Sequence, residues 1–371
     1  MFTQSTHTSG GTLARAFRTR VLGSDLLDLL TGPHGVDRYT ELVAPTWTRG
    51  EARAKVVDAR RTTPRSVTLT LAPNAAFTTA HTVKAGQYVN LTVEIEGRRH
   101  TRCYSPANAE GAANLELTVG RHDGGLVSDY LYHRARRGMV VGVTGVGGDF
   151  VLPERRPRRI LFVSGGSGIT PVMAMLRTLV AEGHPGTPGA EVAFVHYART
   201  PAEACYRDEL AALPGVRVLH GYTRSGGGEL TGRCGQKHLA AAMTAPDAVF
   251  VCGPAALVEA VREHCGDNVY AESFVPPALG APALGAPLGG RITFSDSAIG
   301  VFDDGRTLLE QAESAGLAPA SGCRMGICHT CTRRKTAGTV RNLITGAVST
   351  VPDDDVQICV SVPLGDVDIA L

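Results

Sequence analysis

Ser321-Gly-Cys-Arg-Met-Gly-Ile-Cys-His-Thr-Cys331 sets Cys323, Cys328 and Cys331 in a C-x4-C-x2-C run, and Cys359 follows after 27 further residues. Three thiolates from one loop and a fourth from a distant segment is the ligand spacing of a plant-type [2Fe–2S] cluster. Zinc favours paired C-x2-C knuckles, and only one such pair stands here. A disulfide pair and buried structural thiols also stay open. The cluster accounts for the spacing best, and with it the chain is expected to move single electrons.

The flanking sequence agrees with that reading. Thr307-Leu-Leu-Glu310 is a capping box that starts a helix. Leu308, Leu309, Ala312 and Ala315 give it a short apolar stripe, and Gly316 a stop. Arg291 to Phe302 reads as two extended segments, and Val356-Gln-Ile-Cys-Val-Ser-Val362 as a closing strand. This order resembles the α+β, β-grasp fold of plant-type ferredoxins over residues 291–371. Gly322 and Gly326 suit a loop whose N–H groups turn toward cluster sulfurs. Met325 stands where that family often has a smaller side chain.

With 371 residues the chain has room for two or three domains. Hydrophobic residues make up 43% and charged ones 19%, enough for ordinary cores. A net charge of +2 with no dominant Lys/Arg tract argues against nucleic acid as a partner. No apolar run approaches the roughly 18 residues of a membrane span, and the N-terminus lacks a secretory h-region. Nine cysteines, an odd number, fit a reducing cytosol rather than a disulfide framework.

Two boundaries divide the chain. Val275-Pro-Pro-Ala-Leu-Gly-Ala-Pro-Ala-Leu-Gly-Ala-Pro-Leu-Gly-Gly290 has the composition of a linker. Pro153-Glu-Arg-Arg-Pro-Arg-Arg159 is charged and Pro-broken. The expected organisation is an extension over 1–50, partly helical, then modules over 51–155 and 156–274, the linker 275–290, and the cluster module 291–371.

In the 156–274 module, Ile160-Leu-Phe-Val-Ser164 reads as a buried strand. It runs into Gly165-Gly-Ser-Gly-Ile-Thr-Pro171 and a helix to about Glu182, which Thr170 can cap. A glycine-rich strand-to-helix turn offers N–H groups and a helix dipole to a pyrophosphate. Strands at Glu191–Tyr197, Val216–Tyr222 and Ala248–Cys252 alternate with helices near 202–213, 235–244 and 254–265, so a parallel α/β sheet of Rossmann-like type is expected. Gly165, Arg199, Arg224, Cys252, Gly253 and Pro254 all fall at strand C-termini, where such sheets bind ligands.

The 51–155 module is strand-like, with runs such as Ser66-Val-Thr-Leu-Thr-Leu71 divided by turns, as in a small antiparallel β-barrel. Arg102-Cys-Tyr-Ser105 suits a flavin: a guanidinium for phosphate, a ring to stack, a hydroxyl for ring N5. Gly124-Gly-Leu-Val-Ser128 opens a short helix with free N–H groups for phosphate. An Arg paired with any carboxylate and a Tyr in the barrel wall would account for the first motif equally simply.

The three blocks together resemble the ferredoxin–NADP reductase superfamily, in members with a C-terminal plant-type ferredoxin domain, over residues 50–371. The N-terminal segment, including Leu27-Asp-Leu-Leu-Thr-Gly-Pro-His-Gly-Val-Asp-Arg-Tyr39 and Pro45-Thr-Trp47, looks closest to oxidoreductase partners of bacterial membrane acyl-CoA Δ9 desaturases. The resemblance implies that Arg102 binds the FAD pyrophosphate, Tyr104 lies on the isoalloxazine and Ser105 bonds near N5. Gly125, Leu126, Val127 and Ser128 would complete the pyrophosphate site. Gly165, Gly166, Gly168 and Thr170 would contact nicotinamide-cofactor phosphates, with Gly253 and Pro254 beside them. Cys252 would stand next to the nicotinamide, and Phe274 would cover the flavin's other face. Ser105, Tyr104 and Cys252 are the expected catalytic residues, and Cys323, Cys328, Cys331 and Cys359 the metal ligands.

A nicotinamide gives two electrons as hydride, whereas a [2Fe–2S] cluster takes one, and FAD mediates between them. Plant-type clusters lie near about −400 mV, so the expected product is a low-potential donor to an iron oxygenase or desaturase. Arg199 and Arg224 are placed to meet a ribose 2′-phosphate, which favours NADPH over NADH; either could instead be a surface residue or stack on adenine. FMN in place of FAD also stays open. Leu13-Ala-Arg-Ala-Phe-Arg-Thr-Arg-Val-Leu22 is basic and amphipathic, and either lies on an anionic bilayer or packs on its own protein. A cytoplasmic monomer is expected, peripheral to the membrane's inner face on the first of these readings. Three functions compete: a desaturase reductase, a Rieske or steroid hydroxylase reductase, and a non-catalytic redox sensor. Fifty residues ahead of the barrel are too few for the globin of a flavohaemoglobin.

Overall fold

The computed structural model describes residues 46, 48, 51–274, 289–322, 324, 326 and 329–371. The expectations for the N-terminal extension, for 275–288 and for Cys323, Met325 and Cys328 lie outside these residues.

The first module is an antiparallel, barrel-like sheet of β1 (Arg53–Thr63), β2 (Ser66–Pro73), β3 (Tyr88–Ile95), β4 (Arg98–Tyr104), β5 (Leu115–Gly120) and β6 (Val140–Gly147). Strand order is β4-β3-β6-β1-β2-β5. The two-residue period of a strand sends Val67, Leu69 and Leu71 inward with Val89, Leu91 and Val93, all buried. A short α1 (Ala75–Ala80) follows β2, and α2 (Leu126–Arg134) follows β5.

The second module is a parallel sheet of order β10-β9-β8-β7-β11-β12, formed by β7 (Arg159–Gly165), β8 (Glu191–Ala198), β9 (Val216–Tyr222), β10 (Leu230–Thr231), β11 (Ala248–Cys252) and β12 (Val269–Glu272). Ile160 to Val163 and Val249 to Val251 are fully buried without alternation, because helices cover both faces. Phe162 stacks on Phe250 at 5.5 Å between centroids, and burial of each ring stabilises the sheet by about 2–3 kcal/mol. The chain winds outward from β7 through β8 and β9, then returns to its other side with β11. That reversal opens a crevice beside β7.

Helix α3 (Ile169–Ala181) follows β7. Its N-cap is Gly168 rather than the expected Thr170, which is the second residue of the helix and donates its hydroxyl to the Ser167 carbonyl at 3.3 Å. The helix expected over 202–213 contracts to α4 (Arg207–Ala211), since Pro201 opens a separate 3-10 turn and Tyr206 is left-handed at φ 59°. Helices α5 (Gln236–Ala242) and α6 (Ala255–Cys265) complete the layers.

The third module mixes β13 (Arg291–Phe294), β14 (Ile299–Phe302), β15 (Thr332–Asn342), β16 (Val348–Ser349), β17 (Asp354–Gln357) and β18 (Ser361–Ile369), with β13 parallel to β18. Helix α7 (Leu308–Ser314) packs on it and carries the capping box, Thr307 and Glu310 each bonding the other's backbone. The single strand expected over Val356 to Val362 is two, β17 and β18. The Val360 N–H closes a turn on the Gln357 carbonyl, which breaks the strand at Cys359.

Candidate functional site

The barrel and the parallel sheet are held together by a polar seam. Arg177 of α3 donates to the Ala107 carbonyl (2.8 Å) and Glu116 (2.9 Å) of the first module, and to Glu209 (2.6 Å) of its own. The Tyr206 hydroxyl meets the Thr118 hydroxyl at 2.5 Å. Two cavities open along this seam and share Thr118, Gly120, His122, Ser167, Thr170 and Phe274.

The smaller cavity, about 360 Å³, is lined by Arg102, Tyr104, Ser105, Gly125 to Ser128 and Phe274, among others. All the flavin residues expected from the sequence therefore meet in one place. Strand β4 delivers Arg102 and Tyr104, and the start of α2 delivers Gly125 to Ser128. The N-cap Gly125 makes no side-chain cap bond, so first-turn N–H groups are available to an anion. A Cβ on Gly125 would lie 2.5 Å from Ser128 Oγ, which is why the turn takes glycine. Ser105 Oγ is buried without a hydrogen-bond partner, a donor placed for an atom of a ligand. Burial, then the neighbouring Arg324, lowers the Arg102 pKa below its ordinary value. An anion-seeking guanidinium, an orphan hydroxyl and a helix start fit a flavin with its phosphates.

The larger cavity, about 690 Å³, follows the crevice beside β7. Gly165, Gly166, Gly168, Thr170, Gly253 and Pro254 form one end, and Arg199, Glu203, Thr223 and Arg233 are among the residues toward the other. Gly166 is left-handed at φ 57°. A Cβ on Gly168 would sit 2.2 Å from the Cys252 carbonyl oxygen, so the loop presses against β11 with no space for a side chain.

Two expected residues stand elsewhere. Arg224 is exposed and outside the cavity lining, its N–H bonded to the Arg199 carbonyl. Cys252 is fully buried and lines neither cavity; burial and the Glu272 carboxylate push its thiol well above the ordinary range. Two residues escaped the sequence reading. Arg233 lines the nucleotide cavity with no carboxylate partner among the described residues. Glu272, paired with Cys252 across β11 and β12, has a buried unpartnered Oε2, and burial raises its pKa to about 8. A lone acid closing a strand, two residues before Phe274, was the available signal.

At the cluster loop, Cys331 and Cys359 are buried, and the Ile358 N–H reaches the Cys331 carbonyl at 3.4 Å, which sets the two thiol-bearing segments side by side. Gln357 Nε2 donates to the Gly326 carbonyl at 2.7 Å and pins the loop between them. Two buried cysteines on neighbouring segments of this loop's base suit iron rather than a solvent-exposed role.

A flavin barrel, a dinucleotide sheet and a ferredoxin module in one chain define an NAD(P)H oxidoreductase of the iron–sulfur flavoprotein class. Family models agree: an oxidoreductase FAD-binding domain matches residues 69–152, an oxidoreductase NAD-binding domain 162–263, and a 2Fe-2S iron-sulfur cluster binding domain 294–364. The chain belongs to the ferredoxin–NADP reductase family, in its branch with a C-terminal ferredoxin domain. It is 36% identical over 355 residues to an NADPH oxidoreductase of Mycobacterium tuberculosis, covering 91% of this chain and 89% of that one. It is 32% identical to a glycine betaine monooxygenase reductase subunit of Pseudomonas aeruginosa, covering 76% and 86%. The solved structure of phthalate dioxygenase reductase shares the fold, with a TM-score of 0.59 at 22% identity over 87% of this chain and 98% of that one. The cofactors of the present chain are FAD, NAD(P)H and a [2Fe–2S] cluster. Among the described residues no helix is long and apolar enough to cross a membrane.

Proposed function

We propose that the protein uses NADPH to supply electrons singly to a membrane fatty-acyl desaturase of the acyl-CoA Δ9 type. A bound flavin would supply two-electron hydride acceptance and a bound cluster one-electron transfer. The chain's own residues orient and shield them. Arg102 and the start of α2 hold phosphate, Ser105 offers its hydroxyl to the ring, and Tyr104 and Phe274 bracket it. Gly165 to Gly168 bring the nicotinamide cofactor's phosphates against the sheet. Cys252, beneath Gly253, acts as a positioning residue by setting how closely that loop packs.

The observation carrying the NADPH reading is Arg233, a cation in the nucleotide cavity free of any carboxylate among the described residues. Glu203 on the same side is partly occupied by Arg199 at 3.9 Å. The NADPH reading is also supported by the Mycobacterium tuberculosis relative, whose name specifies NADPH, and the desaturase reading by the resemblance of the N-terminal segment. Comparing kcat/KM for NADPH and NADH tests the first part, and equal values would overturn it. Reconstitution with a membrane desaturase tests the second.

A second reading draws on the monooxygenase reductase relative: an NADH-using reductase of a Rieske or steroid hydroxylase. The same reconstitution with a Rieske oxygenase separates the two acceptors. Rapid cytochrome c reduction excludes a non-catalytic sensor. A direct membrane contact through residues 1–24 is tested by liposome sedimentation of the full chain and of one lacking them.

A further inference from the structure

We propose that Arg324, on the cluster loop, is a second binding residue for the FAD phosphates, so that bound FAD latches the ferredoxin module onto the barrel. This rests on the reading that the Arg102–Ser128 cavity holds the flavin. Arg324 lines that cavity together with Arg102, Ser105, Ser128 and Phe274, although it belongs to the module beyond the linker. No flavin residue expected from the sequence comes from that module.

Charge makes the placement informative. Strand β4 carries Arg98, Arg99, His100 and Arg102. Burial first, and then Arg102, Arg324 and Arg98, depress the His100 pKa, so guanidiniums of β4 and of the cluster loop converge on this face. One of them, Arg324, comes from the ferredoxin module. Arg324 is paired in a two-bond fork with Glu313 of α7, whose Oε2 accepts from Nη1 at 2.9 Å and whose Oε1 accepts from Nη2. Its Nε is buried with no hydrogen-bond partner. Glu313 offsets the Arg324 charge only from the ferredoxin side, while Arg102 on the same cavity has no carboxylate partner among the described residues. A diphosphate supplies two negative charges, acceptors for the Arg102 fork and one for the unpartnered Arg324 Nε. The docked arrangement is therefore favoured with the cofactor bound and disfavoured without it. Such a contact couples the presence of flavin to the position of the cluster that it serves.

The test uses the full, cluster-loaded chain stripped of flavin and titrated with FAD. Flavin fluorescence gives Kd for wild type, Arg324→Ala, Arg324→Lys and Arg102→Ala, and hydrogen exchange is followed over Leu308–Ser314 with and without FAD. The expected results are a Kd about tenfold higher for Arg324→Ala, substantial recovery in Arg324→Lys, and FAD-dependent slowing of exchange in the wild-type ferredoxin module that Arg324→Ala abolishes. A Kd within twofold of wild type for Arg324→Ala overturns the latch, provided Arg102→Ala weakens binding. If neither substitution changes Kd, the cavity assignment itself fails and the latch with it. Cluster absorbance reports whether each variant assembles its loop. Where Arg324→Ala loses the cluster, the wild-type exchange decides: slowing by FAD supports the latch, and no change over Leu308–Ser314 overturns it.

Discussion

Arg177 grips carboxylates from two modules at once, Glu116 on β5 of the barrel and Glu209 on α4 of the nucleotide sheet. The side chains of Arg177 and Glu116 are each only 19% exposed, so water screens this pair poorly. Arg177→Met would strand both acids at the seam and cost about 2 kcal/mol, below the full penalty of a buried pair because Glu209 is 38% exposed. Urea unfolding reads the loss. A midpoint identical to wild type would mean that solvent replaces the arginine without cost.

Glu272 predicts a pH dependence of opposite sign to the usual salt-bridged acid. Its folded pKa of about 8 lies above the ordinary glutamate value of 4.5. The folded chain thus keeps a proton that the unfolded chain releases across that interval. Its contribution is complete below the unfolded value and is lost as pH rises toward and through about 8, by roughly 3–5 kcal/mol in all. Glu272→Gln should flatten the dependence between about pH 5 and pH 9 in urea midpoints. Parallel curves for the two proteins would show that other groups cause the slope.

Gly168→Ala tests the close approach of loop and strand. The added methyl would meet backbone atoms of Cys252 and Gly253 at 2.2–2.9 Å, and neither can swing aside. Nucleotide affinity should fall by about tenfold or more and stability by about 2 kcal/mol or more. The control is Gly186→Ala, where nothing lies within 4 Å. Equal behaviour of the two variants would contradict the packing argument.

Arg233→Ala should raise KM for NADPH by roughly tenfold to a hundredfold, the worth of a charge-assisted bond, and leave NADH nearly untouched. Arg224→Ala, outside the cavity lining, should change neither much. Reversed effects would return the 2′-phosphate to the residue that sequence position favours.

The difference between those two arginines marks what a linear reading reaches. The cysteine spacing, the Thr307–Glu310 cap and the Gly165–Gly168 turn are local devices whose members lie within a few positions, so their chemistry can be read in order. Arg224 and Arg233 bracket a loop rich in glycine, and only the path of that loop decides which one enters the cavity. Cys252 ends a strand, which in sequence points it at the nicotinamide, yet strand register buries its thiol. Glu272 gains its raised pKa from burial, and Arg324 its place from docking across a module boundary. Both arise from tertiary packing, which no spacing encodes.

Phe274, which borders both cavities, is also the last described residue before the Pro/Gly/Ala segment, and the chain is described again at Gly289. At about 3.6 Å per residue the intervening stretch spans at most roughly 50 Å, whatever its conformation. The 14 residues between Phe274 and Gly289 therefore hold the cluster module within that distance of the two cavities, at a local concentration in the millimolar range. At that concentration even a feeble contact between the modules is re-formed repeatedly, so the cluster stays within reach of the barrel by covalent length alone.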